Sequence, residues 1–305
     1  MSSHTRLRAR HGLVFGALFM AGLTMAQTAP DSFIIVGARI EPRVGEVLTN
    51  GYVLVEGGVI RAMGSGTPPT TSARRIDGNG LWVFPGFIDG FVTRGLKLPE
   101  WKPTPGVDSS TTAPATMLAI NNKGSRPDLK ASDILDQKSL AEDMNKAGFA
   151  VLHMVPGAGM FRGQGAIIAA ADGKKEQVLI KDGTVQGSSF LSGGAPGSYP
   201  GSLFAVVAQM RQILADAQRE AHPAAEGKNP LAKALTPVVN REMPVLFQAD
   251  TAEEIYRALN FRDEFGFNVI FAQGREAAKH AATLAQQNVP VIATLSLPVK
   301  PVQGD

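Results

Sequence analysis

Apolar residues come in short runs over the first folded stretch and at helical spacing further on. Phe33–Ile40 (FIIVGARI), Gly51–Gly64 (GYVLVEGGVIRAMG) and Arg74–Phe84 (RRIDGNGLWVF) are rich in β-branched and aromatic residues and predict strands. Glu56-Gly57-Gly58 lies between two such runs and predicts a hairpin turn. The expected result is a small antiparallel sheet, too few strands to close on itself, that packs on something else. LWVFPGFIDGFV (Leu81–Val92) then reads as one buried strand, and strands begin to alternate with helices.

Residues 97–137 are polar, with proline, serine and threonine throughout, and form an excursion. Ser139–Phe149 is helical and closes on Gly148, a residue suited to the left-handed cap. Ala150–Pro156 is the next strand, followed by a glycine-rich insertion to Gly201 with strand-like GAIIAA and QVLI inside it. Ser202–Glu220 places Leu203, Val206, Val207, Met210, Ile213 and Leu214 on one helical face. From there the alternation is regular. PVLFQA is a strand, TAEEIYRALNFRDEFG a helix, FNVIFAQG a strand, REAAKHAATLAQQN a helix and VPVIATLS a strand. Thr251 caps its helix, and Glu253 and Glu254 sit in the favourable first turn. Alternating β and α units imply a parallel sheet, either an open doubly wound one or a (β/α) barrel.

Composition adds little to this picture, and charge removes one class. The chain has 305 residues, 44% hydrophobic and 19% charged, which is globular. Its formal net charge of +3 equals the three arginines Arg6, Arg8 and Arg10 at the start, so the remainder is balanced. No basic stripe is present, which excludes the usual nucleic-acid binder. Cys 0 removes disulfides, thiolate nucleophiles and cysteine-ligated metals. The basic start, the apolar run Leu13–Met25 and Thr24-Met25-Ala26 have the layout of a secretory signal peptide, the alternative being an uncleaved anchor. The run is shorter than the roughly 20 apolar residues of an ordinary membrane span. The organisation is therefore residues 1–26 as signal peptide, 27–81 as a β segment, and 82–305 as an α/β body with insertions near 97–137 and 157–201.

The strings GGVIRAMG, IDGNGLWVFPGFID, PVLFQADTAEEIYRAL, FNVIFAQG and NVPVIATLS resemble the amidohydrolase superfamily, in particular its imidazolonepropionase-like branch. The resemblance covers most of residues 33–297 and leaves the two insertions unmatched. It implies an α/β fold: a partial (β/α) barrel of the metal-dependent hydrolase type preceded by a small β-sandwich segment. It also implies hydrolysis of carbon–nitrogen bonds other than peptide bonds, by a water activated on zinc or another divalent metal at the strand ends. In that family two histidines spaced by one residue follow the Pro-Gly-Phe-Ile-Asp string, and further histidines end the fifth and sixth strands.

Those positions are Phe91, Thr93, Gln248 and Gln273 here, and an aspartate of an eighth strand has no counterpart before Asp305. An amide is a poor ligand for zinc-like metals, and a phenyl ring is none. His4 and His11 fall in the presumed signal peptide, His222 after a helix and His280 inside one, on a solvated surface. His153, the one histidine on an expected barrel strand, reads as a packed, hydrogen-bonded residue. Asp89 reads as a holder of strand-end backbone, and Asp250 and Glu254 as helix-start charges. Both Asp89 and His153 remain candidates for the site mouth. GAGMFRGQG (Gly157–Gly165), with Arg162, lacks the Gly-Lys-Ser/Thr ending of a phosphate loop and reads as a surface or mouth-lining loop.

The expectation is thus an exported, periplasmic or extracellular amidohydrolase-like protein with a degenerate metal site, a pseudo-enzyme that holds no cofactor and admits a small polar molecule. The alternatives are a non-catalytic binding or structural protein, or the front part of a split gene. No eighth strand is expected in the stretch through Pro298 and Pro301, so a partner chain or oligomer would complete the barrel and cover its edge. Cleavage after Ala26 should leave a mature chain starting at Gln27. N-terminal sequencing of the exported fraction checks this, and recovery of Met1 or Ser2 there would overturn it.

Overall fold

The computed structural model describes residues 32–99, 125–136, 138–157, 159–192, 200–224 and 229–294. The expected signal peptide, the Ser/Thr/Pro-rich stretch 107–114 and the stretch containing Pro298 and Pro301 lie outside these residues. Backbone contacts divide the chain into two units, Met1–Pro85 and Gly86–Asp305.

The first unit is a five-stranded sheet of β1 (Phe33–Arg43), β2 (Glu46–Glu56), β3 (Val59–Ser65), β4 (Arg74–Asp77) and β5 (Trp82–Val83). Gly57 and Gly58 turn β2 into β3 at φ 61° and 76°, values that few other residues adopt without strain. The expected all-antiparallel sheet is corrected here. β2 is antiparallel to β1, but β4 and β5 run parallel to it. The chain leaves β3, crosses to the far edge of β1 and returns in β1's own direction. Among the described residues the strands of this unit form one sheet.

Leu81–Val92 is not one buried strand. Pro85, without an N–H, interrupts it, so Trp82–Val83 pairs with β1 while Phe87–Val92 forms β6 and pairs with β7 (Phe149–Met154). Gly86 lies at the break, where an added Cβ would collide with Ala150 Cβ. Trp82, Phe84, Phe87 and Ile88 are exposed.

The second unit holds two sheets. Besides β6 and β7 it contains β8 (Phe161–Gln164), β9 (Ala166–Ala169), β10 (Leu179–Lys181), β11 (Gln186–Ser189), β12 (Val245–Ala249), β13 (Val269–Gln273) and β14 (Val291–Ala293). One sheet has the order β10-β9-β7-β6 and the other β14-β13-β12-β11-β8. In the second sheet β11 to β14 are parallel, and β8 is antiparallel to β11. No closed barrel is formed among the described residues. Of the QVLI run, Gln177-Val178 belongs to the short helix Lys175–Val178 and only the rest to β10.

Burial on both faces explains the near-continuous apolar runs of the parallel strands. Val245, Phe247, Val269 and Phe271 pack outward against the helices Leu203–Glu220 and Ala252–Phe265, through Met210, Ile213, Leu214, Ile255, Leu259 and Phe261. The other face carries a smaller inner cluster. Leu246 and Ala272 meet Val155 and Val185 there, with Phe91, Ile270 and Ile292 packed around them. Residues of both sheets thus share one inner core. The expected helix 275–288 is broken into a 3-10 turn at Ala277–His280 and a helix at Ala281–Gln286. Leu284 is the one buried residue of that helix, so it has no apolar stripe to extend it.

Leu246 is fully buried in the inner cluster, two residues before Gln248. Leu246→Ala should cost about 2–5 kcal/mol of stability through lost burial and the cavity left behind. Urea unfolding measures it, and a loss below about 1 kcal/mol would show that this cluster is not tightly packed.

Candidate functional site

The site is built at the ends of the parallel strands. Strand side chains alternate, so Gln248 follows Leu246 onto the inner face of β12, above the apolar cluster. Gln273, the last residue of β13, would by the same alternation follow Phe271 to the helix side. It does not, because its backbone takes a left-handed φ of 75°. That turn brings its amide to Gln248, whose Nε2 donates to Gln273 Oε1 at 2.6 Å. The two glutamines expected at the site are therefore in direct contact.

The third member comes from an unexpected place. Arg162 lies on β8, not on a surface loop, and is 3% exposed, the one charged residue among the buried described ones. It donates from one terminal nitrogen to Gln248 Oε1 at 2.5 Å and from the other to the Ser188 carbonyl at 2.8 Å. Its Nε meets no acceptor among the described residues. Burial pulls its pKa down to about 10, with no nearby carboxylate to offset the effect. Ser188 and Ser189 hold the preceding chain, their hydroxyls donating to the Met160 and Gly159 carbonyls.

The remaining expected positions lie around this core. Phe91 packs into the inner cluster beside Leu246 and Ala272. Thr93 is exposed and stands beside Gly157, where an added Cβ would be 3.6 Å from Thr93 Cβ. Asp89 Oδ1 accepts the Phe91 backbone N–H at 3.0 Å, a local turn that holds the strand end. His153 lies 3.1 Å from the Gly90 carbonyl through Nδ1 and 2.7 Å from Thr184 Oγ1 through Nε2. A carbonyl only accepts, so Nδ1 carries the proton and Nε2 accepts from the Thr184 hydroxyl. The one lone pair available to a metal is thereby engaged.

The helix-start residues are also in place. Thr251 Oγ1 accepts from Glu254 N, and Glu254 Oε2 accepts from the N–H groups of Asp250 and Thr251, a complete capping box. His280, expected on a solvated surface, is instead half-buried with Nε2 against the Ala252 carbonyl at 2.9 Å. Asp250, Gln273, Gly274, Arg275, Ala293 and Thr294 line an open cavity of about 390 Å³ at the strand ends. Two larger hollows, of about 430 and 500 Å³, involve none of the expected ligand positions.

Metal-dependent hydrolases need several nitrogen or carboxylate donors converging on one point. Among the described residues no group of three or more His, Cys, Asp or Glu side chains is so placed. The donors at the matched positions are two amides, one hydroxyl and a phenyl ring, with a guanidinium against one of the amides. This set does not fit a divalent cation, because the arginine already supplies a positive charge there. Sequence reasoning put Arg162 on a surface or mouth-lining loop, because its strand is only four residues long and lies in a glycine-rich stretch. The available signal was an arginine directly preceded by Met160 and Phe161, both apolar.

No protein-family model matches the chain, and no curated protein matches it. Among solved structures, an amidohydrolase from Thermotoga maritima MSB8 is similar, with a TM-score of 0.68 and 22% identity over 89% of this chain and 72% of that one. A prolidase complexed with N-methylphosphonate-L-proline matches at a TM-score of 0.44 and 15% identity, over 86% of this chain and 66% of its own. The fold is similar to that of the first of these structures. The second match is too loose to bear on the site.

Burial holds the His153 pKa below its ordinary value of 6.5, and the Gly90 carbonyl partly opposes the shift. As pH falls through about 6.5 the unfolded chain takes up this proton before the folded chain does, so stability present above that pH is lost below it. Denaturant unfolding between about pH 8 and about pH 5 should show a smaller loss for His153→Gln than for the unmodified chain. Equal losses would show that His153 does not carry this dependence.

Proposed function

We propose that the chain is an amidohydrolase-type protein from the lineage of hydrolases acting on carbon–nitrogen bonds other than peptide bonds, and that its mouth binds a small polar molecule without activating water on a metal. One observation carries this reading: Gln248 and Gln273, two of the positions where the resemblance puts metal ligands, are bonded to each other, and Arg162 is bonded to Gln248. A buried guanidinium beside Gln248 opposes a second cation in the same space. The similarity to the Thermotoga maritima amidohydrolase supports the lineage. The inner cluster drawn from both sheets supports reading β6, β7 and β11–β14 as staves of a partial (β/α) barrel. So does Gly90 on β6, where an added Cβ would come within 3.3 Å of Ile292 on β14. In this reading the protein is exported, and a partner chain or a second copy covers the open strand edges.

Equilibrium dialysis against zinc tests the reading. The unmodified chain should bind no stoichiometric zinc. The combined Phe91→His, Thr93→His, Gln248→His and Gln273→His variant should bind it at least about tenfold more weakly than the same variant carrying Arg162→Met as well, because the guanidinium repels the ion. Tight one-to-one binding by the unmodified chain, lost on changing His153 or Asp89, would sink the proposal.

A further inference from the structure

We propose that the cavity at the ends of β13 and β14 is a carboxylate-binding site, in which Gln273 Nε2 is the oriented donor and Arg162, acting through Gln248, sets its orientation. The proposal rests on the metal-free reading of the mouth given above. It follows from the one-way chemistry of arginine. A guanidinium donates and never accepts. Its terminal nitrogen lies 2.5 Å from the Gln248 side chain, so the atom it meets is the amide oxygen. The amide nitrogen of Gln248 is then on the other side, 2.6 Å from Gln273, and the atom it meets there must accept. That assigns Gln273 Oε1 to the relay. Gln273 Nε2 is left with two N–H groups and no partner among the described residues, and Gln273 is one of the residues that line the cavity.

The rest of the wall suits the same ligand. Arg275 brings an exposed guanidinium and Thr294 a hydroxyl. The one acid on the wall, Asp250, stands 3.9 Å from Arg275, a loose pair that an incoming carboxylate can replace. The backbone N–H groups of Gly274 and Thr294 are already spent on the Ala249 and Gln273 carbonyls, so the side chains supply the donors. A planar carboxylate takes one N–H from the Gln273 amide and a forked pair from Arg275. A cationic ligand would meet mostly donors. The buried arginine thus acts at a distance of two side chains as a positioning residue: it never touches the ligand, but its polarity is passed along the relay to the cavity.

Relay polarity can be inverted without removing any side chain. In Gln248→Glu the new carboxylate accepts from Arg162 and also from Gln273 Nε2, so Gln273 must turn its oxygen to the cavity. The arginine gains a counter-ion, so this variant should melt at the same temperature as the unmodified chain or higher. Sodium acetate and sodium succinate are titrated by ligand-observed NMR against the full chain, with methylammonium and inorganic phosphate as comparison probes. Saturable carboxylate binding is expected, weaker by about tenfold or more in Gln248→Glu and tighter in Asp250→Asn, where a like charge is removed. Carboxylate binding of equal strength in Gln248→Glu would overturn the inference, as would no carboxylate binding or a preference for methylammonium or phosphate. A chain that binds tight zinc fails the earlier reading; a chain that binds neither zinc nor carboxylate fails only this one.

Discussion

A positive charge buried without a negative partner governs the strand ends of this protein. Removing an ion from water costs several kcal/mol even after the surroundings relax. Arg162 meets that cost with neutral acceptors alone, the Ser188 carbonyl and the Gln248 amide oxygen. Both must therefore face it. β8 holds the arginine against β11 by antiparallel pairing at Gln164↔Gln186 and Gly163↔Gly187, and two serine hydroxyls clamp the chain just before it. From this point each polar group inherits its direction from the last. Even the left-handed backbone at Gln273 belongs to the set, since without it the amide would lie on the helix side of the sheet.

The body of the fold was legible because its signals are local. The helix Leu203–Glu220 buries its apolar stripe from Val206 onward with Ser202 as cap, although Leu203, expected on the same face, is exposed, and Thr251 with Glu254 marks the start of the next long helix one residue before it begins. Strands β12 and β13 are apolar runs bounded by polar turns, as parallel strands covered on both faces must be. What escaped was set by distant pairing. Nothing in RRID announces that β4 runs parallel to β1, and nothing in FRGQ announces a strand antiparallel to β11. The helix expected at 275–288 failed for a different reason: alanine favours helix, but this stretch has almost nothing to bury.

Resemblance located Gln248 and Gln273, and the structure brings them into contact. It gave no hint of the arginine, because family motifs mark the strands that carry ligands and β8 is not one of them. One architecture can carry many different sites on its strand ends. The apolar layers under Gln248 depend on volume and shape, so they tolerate any polar chemistry above them.

The relay also makes the order of genetic change matter. Exchanging Gln248 for a histidine while Arg162 stays leaves a buried guanidinium facing a ring that gains charge as it protonates. Exchanging Arg162 first strands the Ser188 carbonyl and leaves Gln248 with no donor to hold its oxygen. Each of these two steps, on the way to a histidine at Gln248, loses a bond before it gains one. Between the glutamine–arginine chain and a histidine at Gln248 there therefore lies a mutational barrier, crossed only through less stable intermediates.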